Sequence, residues 1–142
     1  MAQYSRSQCR EWALQCLYQA EHGGPQRPEA IADLWRHFQK ADAAKEAPAY
    51  FMALVEGVAA HQEELDALIA RHSEHWRLER MSAVDRNLLR LALYELVYQP
   101  HIPPKVVINE AVELAKRYGS EQSGAFVNAL LDRIRQAVGR EV

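Results

Sequence analysis

Apolar residues recur along this chain at spacings of three and four, and no segment sustains an alternation of period two. That is the period of helices buried along one face, so the pattern predicts an all-α fold. A first helix is expected over residues 5–21, with Trp12, Ala13, Cys16, Leu17 and Ala20 as its stripe and Cys9 extending it. Gly23, Gly24 and Pro25 end it. A shorter helix is expected over 28–38, burying Ile31, Leu34, Trp35 and Phe38. After Pro48, the residues Phe51, Leu54, Val55, Val58, Leu65, Leu68 and Ile69 trace one face of a long helix that ends within 71–75. Gly57 inside it marks a close helix contact or a weak point. "SEHWRLERM" reads as a short helical turn with Trp76 as a plug.

Ser82 and Asp85 resemble a capping box with Asp in place of the usual Glu, and they open the next helix. Its apolar residues, from Val84 through Leu88, Leu89, Leu91, Leu93 and Leu96 to Val97, run almost all the way round, which predicts a central, buried element. Pro103 or Pro104 suits the first turn of a following helix striped by Val107 or Ile108, Ala111, Val112, Ala115 and Tyr118. Lys116 and Arg117, then Gly119, stop it. Ser120 or Ser123 caps a last helix carrying Phe126, Val127, Leu130, Leu131, Ile134 and Val138 to a polar tail at Gly139. The total is roughly six or seven helices with no repeat and no long linker.

Composition narrows the class. The chain has 142 residues, 49% of them hydrophobic and 25% charged, enough for one domain or two joined halves with an ordinary core. A net charge of −2 argues against a protein that coats nucleic acid without specificity. The acidic excess is confined to one block, residues 25–75, with five basic against nine acidic side chains. The segments outside that block are where a basic patch could be assembled. Cys9 and Cys16 stand seven apart on one helix, about 10 Å along its axis, too far for a disulfide. Nothing approaches the ~18–20 apolar residues of a membrane span, so the cytoplasm is expected.

Signals for catalysis are weak. The phosphate-loop, dinucleotide, nucleophile-elbow and zinc-protease motifs are missing, and no catalytic residue, metal or cofactor is expected. His72 and His75 alone make a poor metal site. Asp85, Arg86, Arg90 and Glu95 lie on the most apolar helix, and a structural ion-pair cluster fixing how helices meet is the favoured reading. Arg6 and Arg10 project from one side of the first helix with Tyr18 two turns further on. Two guanidiniums and a ring could hold phosphates and stack a base of single-stranded RNA, or form a solvated face with Tyr18 half-buried. The amide of Asn128, inside an apolar run, is expected to tie two helices together by side-chain hydrogen bonds.

Five stretches in order, "CREWALQCLYQAE", "LVEGVAAHQEELD", "VDRNLLRLALYELVY", "IPPKVVINEAVELAKRYG" and "FVNALLDRI", together resemble the NusB family of transcription antitermination proteins. The resemblance spans about Arg6 to Ile134 and is more specific in the C-terminal half. It implies an all-α fold of two small helical bundles packed crosswise, an N-terminal half near 1–80 and a C-terminal half near 81–142 of one RNA-binding domain. It also implies binding, without catalysis, to boxA RNA of ribosomal RNA leaders together with NusE, a small-subunit ribosomal protein. That complex joins RNA polymerase and suppresses premature termination, and some relatives form homodimers.

On this sequence the family's arginine-rich RNA-binding stretch falls on "RSQCR", which keeps only Arg6 and Arg10. Tyr18 matches the aromatic at the RNA face and Arg90 the Arg of the "LR" motif. The loop before the last helix and its first turn adjoin the RNA surface in such proteins, which adds Gln122, Ser123 and Phe126 as RNA contacts. Phe126 is equally a core residue by its stripe. Ala129 stands where the family motif usually has Gly. The alternative function is a helical adaptor whose only partner is protein, because the same scaffold is similar to the N-terminal domain of some ribosomal-RNA cytosine methyltransferases.

Overall fold

The computed structural model describes residues 4–23, 48–74 and 77–140. Among them the elements are α1 (Arg6–Glu21), α2 (Ala49–His72), a 3₁₀ turn (Leu78–Arg80), α3 (Ala83–Tyr98), α4 (Pro104–Tyr118) and α5 (Ser123–Ala137). Five α-helices thus stand where six or seven are predicted, and no strand occurs among the described residues. The helix predicted over 28–38, and the readings of His75 and Trp76, fall outside the described residues. The chain divides into two compact units, Met1–Ala60 and His61–Val142, each described here by itself.

In the first unit, α1 starts where the pattern places it because Ser5 and Gln8 close a reciprocal cap. The Gln8 N–H donates to Ser5 Oγ at 3.1 Å, and the Ser5 N–H donates to Gln8 Oε1 at 3.0 Å. The buried face is Cys9, Arg10, Ala13, Leu14, Cys16, Leu17 and Ala20. Trp12, expected in that stripe, lies at its edge, with its ring against Tyr4 at 5.0 Å and 78°. Leu14 takes the core position instead. Phe51, Leu54, Val55 and Val58, from the start of α2, are all fully buried.

Both thiols are free and buried. Burial pushes Cys16 up to about 12. It also raises Cys9, outweighing the Phe51 N–H and the charge of Arg10, which both favour the thiolate. At pH 8 neither thiol of the folded protein is therefore expected to react with a maleimide until denaturant is added, which mass spectrometry of the labelled chain checks.

The helix α2 loses its regular geometry at His61 (φ −119°, ψ 17°), four residues beyond Gly57, so of the two readings of that buried glycine the weak point is not at its position. The His61 ring stacks on Tyr98 of α3 at 4.0 Å and 17°. Tyr98 donates its hydroxyl to Glu64, and that hydrogen bond, ahead of burial and the carboxylate's charge, holds the phenol above its usual range.

The second unit is built on α3, buried from Asn87 to Leu96 without interruption, as its all-round apolar pattern requires. The closest pairing in this unit is α4 with α5, and α3 packs on both. The shared core includes Leu89, Leu93, Ile102, Val107, Ala115, Val127, Leu131 and Ile134. On α4 the expected Tyr118 is exposed and Leu114 is buried in its place. Asn128 is exposed on α5 rather than tying helices together, because the buried stripe runs through Val127, Leu130, Leu131 and Ile134 and leaves Asn128 and Ala129 on the outer side. The polar tail has a structural task as well. Arg140 donates to the carbonyls of Leu96, Pro100 and Ile102, which satisfies the last turn of α3 and the loop after it.

Candidate nucleic-acid interface

The two arginines expected to join one ion-pair cluster on α3 reach different groups. Arg90 is buried and donates from Nε and Nη2 to both oxygens of Asp66 on α2, at 2.7 and 3.0 Å, and from Nη1 to Asn87 Oδ1 at 3.1 Å. The planar fork suits that bidentate geometry. Arg86 donates to the carbonyls of Leu78 and Met81, at 3.1 and 2.6 Å, and closes the 3₁₀ turn. Asp85 turns elsewhere, into a cleft.

That cleft, about 230 Å³, lies between the start of α3 and the start of α5. Ser82 caps α3 by accepting the Asp85 N–H at 3.1 Å, as the sequence predicts, and so places the Asp85 carboxyl over the positive end of the helix. One oxygen of Asp85, Oδ1, is buried with no hydrogen-bond partner in the protein. An acceptor in that state costs free energy until a donor reaches it. Arg80 and Met81 complete this wall.

Gln122, Ser123 and Phe126 form the opposite wall with Ser120, so three residues singled out by resemblance line one cavity. Phe126 is half-buried and lines the cleft. Both serines share the turn into α5: Ser123 Oγ accepts the Ser120 N–H at 2.9 Å, and the Ser120 carbonyl accepts the Ser123 N–H at 3.1 Å. Gly119 makes that turn feasible. Its φ of −95° suits any residue, yet a Cβ there would lie 2.4 Å from Ser123 Oγ and 2.8 Å from the Ala115 carbonyl oxygen. The absence of a side chain, rather than a left-handed backbone, is what the position requires.

In the first unit, Arg6 and Arg10 both lie over the ring of Tyr50, in the first turn of α2, with Cζ 5.1 and 5.9 Å from its centroid. That is cation–π distance. Arg6 is exposed, whereas Arg10 is only 4% exposed. Tyr18 is at the far end of α1, two turns beyond Arg10, exposed and stacked on His22 at 4.2 Å and 24°. Spacing on α1 carries no signal for Tyr50, which reaches Arg10 from 40 positions away and Arg6 from 44; His22 stands four residues after Tyr18, the spacing of helical neighbours.

Among the described residues, no three His, Cys, Asp or Glu side chains are grouped to hold a metal ion, and His72 Nδ1 faces the Leu68 carbonyl at 3.0 Å. No described helix is long and apolar enough to cross a membrane.

The described elements define a small helical protein with no strand among the described residues. The NusB family profile matches residues 7–136. Over 132 residues the chain is 50% identical to the transcription antitermination protein NusB of Myxococcus xanthus, covering 92% of this chain and 94% of that one. The structure of T. maritima NusB superposes with a TM-score of 0.81 at 38% identity, covering 95% of this chain and 93% of that one. A crystal structure of the antitermination factors NusB and NusE in complex with double-stranded RNA superposes with a TM-score of 0.76 at 30% identity, over 93% and 96% of the two chains. The chain belongs to the NusB family of transcription antitermination factors.

Proposed function

We propose that this chain binds boxA-type single-stranded RNA together with NusE and, in a complex with RNA polymerase in the cytoplasm, opposes termination chiefly during ribosomal RNA transcription. The role is binding, with no reaction step. The observation that carries it is the cleft between α3 and α5. Phe126 offers a ring face, Gln122 an amide that both donates and accepts, and Asp85 an oxygen that lacks a donor. An unpaired base supplies the complementary parts, a flat ring and N–H groups at its edge. The solved complex of a NusB relative with NusE and double-stranded RNA supports NusE and RNA as the kinds of partner.

Within this reading the candidate residues divide by burial. Arg6, Tyr18, Gln122 and Phe126 touch RNA. Arg10 positions Tyr50 behind Arg6, Arg90 positions α3 through Asp66, and Ser123 positions the loop that carries Gln122. Few cations are then left for phosphates, so the salt dependence is shallow, about 0.7 in log–log slope for each phosphate contacted on a single strand.

The test is a titration of labelled boxA RNA and a scrambled control with this chain, alone and with NusE, at two salt concentrations. BoxA preference tightened by NusE is expected, and Phe126→Ala should weaken it about tenfold through lost stacking. The burial of Arg10 and Arg90 favours one alternative, the adaptor that holds NusE without RNA. Capture of NusE with equal, negligible affinity for both RNAs would establish that alternative. Sedimentation of the free chain over a concentration series reads out a homodimer of the kind some relatives form.

A further inference from the structure

We propose that Tyr18 and His22 form one preorganised stacking platform for an unpaired RNA base, with His22 a positioning residue for the Tyr18 ring; this rests on the RNA-binding reading above. An exposed tyrosine ordinarily samples several rotamers, and a ligand that stacks on it must pay to order it. Tyr18, 38% exposed, is held instead. The imidazole of His22 covers one face of the phenol ring at 4.2 Å and 24°. The imidazole is itself fixed, because its Nδ1 lies 2.9 Å from the Tyr18 carbonyl oxygen. A carbonyl only accepts, so Nδ1 carries the proton and the ring cannot turn without losing that bond.

The backbone reinforces the arrangement. The His22 N–H donates to the carbonyls of Tyr18 and Gln19, at 3.2 and 3.1 Å, and closes α1. Gly23 then takes φ +93°, a left-handed conformation that ends the helix. The result is a ring with one face covered by a partner tied to the same helix end. A base adding to the stack gains contact area without ordering the tyrosine first, and every base has a face to offer.

The experiment uses the full chain with NusE, titrated against fluorescein-labelled single-stranded boxA RNA and against the same RNA with one base at a time replaced by an abasic site. His22→Ala, on an exposed site, should keep its melting temperature and weaken binding of the intact RNA about fivefold. His22→Phe, which restores a ring, should recover affinity to within about twofold of the unaltered chain, and His22→Gln should not. One abasic position that costs affinity in the unaltered chain should cost nothing in His22→Ala, because that base no longer has an ordered ring to stack on.

A merely structural His22 would leave every abasic penalty unchanged, and that result overturns the platform. Binding by the unaltered chain that His22→Ala leaves intact overturns the platform alone. Equal affinity of the unaltered chain for boxA and scrambled RNA overturns the RNA-binding reading and the platform with it.

Discussion

Replacing Asp66 with alanine is expected to lower the unfolding free energy by about 2–3 kcal/mol. The mutation leaves the Arg90 guanidinium, whose side chain is 11% exposed, without the carboxylate that takes two of its N–H groups. Breaking a fully buried pair costs more, and the partial exposure of Asp66, at 24%, is why the lower figure applies. Arg90→Met should cost less than Asp66→Ala, because a partly exposed carboxylate regains water while a buried guanidinium does not. The double variant Asp66→Ala/Arg90→Met should then be more stable than Asp66→Ala alone, since the buried guanidinium that lost its carboxylate is gone. Urea unfolding of the four proteins measures this. Strictly additive losses would mean that the pair is not the unit that joins α2 to α3. RNA affinity measured on folded Asp66→Ala adds a second reading, because a positioning role for Arg90 ties any loss of affinity to the pair.

Gly119→Ala is expected to destabilise by about 3 kcal/mol, the upper range for forcing extra atoms into a packed site. The added carbon would sit 2.4 and 2.6 Å from Ser123 Oγ and Cβ, and 2.8 Å from the Ala115 carbonyl oxygen. Real Cβ atoms do not tolerate such distances, so the turn between α4 and α5 must shift. That turn sets Ser120, Gln122 and Ser123 along the cleft, and RNA affinity should fall together with stability. Ser123→Gly in the same chain removes two of the three close atoms. The double variant should therefore lose less than the sum of the two single losses. Thermal melts and RNA titration on the same samples check both parts, and a Gly119→Ala protein as stable as the unaltered chain would refute the steric account.

The comparison between pattern and structure is uneven in a way that has physical causes. The pattern around α3 predicts a central helix, and α3 is buried from Asn87 to Leu96. On α4 and α5 the same logic misassigns single positions. It places Tyr118 in the core, where Leu114 lies, and treats Asn128 as a buried tie although it is exposed. Spacing of three and four defines a stripe about 100° wide, and residues at its edges can turn either way. Tyrosine and asparagine have polar ends that tolerate water there, so neither constrains the choice.

The cleft is a parallel case. Gln122, Ser123 and Phe126 are marked by family resemblance and lie on one wall. Asp85, on the facing wall, reads from the sequence as one member of an ion-pair cluster, yet its Oδ1 has no hydrogen-bond partner in the protein. Nothing in a stretch of sixteen residues says which carboxylate Arg90 will choose, and the one it takes is 24 positions away.

Helical class, the cap at Ser82, the proline start at Pro104 and the stop at Gly119 depend on bonds between residues three to five positions apart, and so they are written locally in the sequence. The order of five motifs is equally a property of the chain, and it carries the family. Which arginine is exposed at Tyr50 and which is buried, and where α2 breaks, were decided only by the tertiary structure. Burial and partnership of a long side chain are set by elements that fold back from far along the chain.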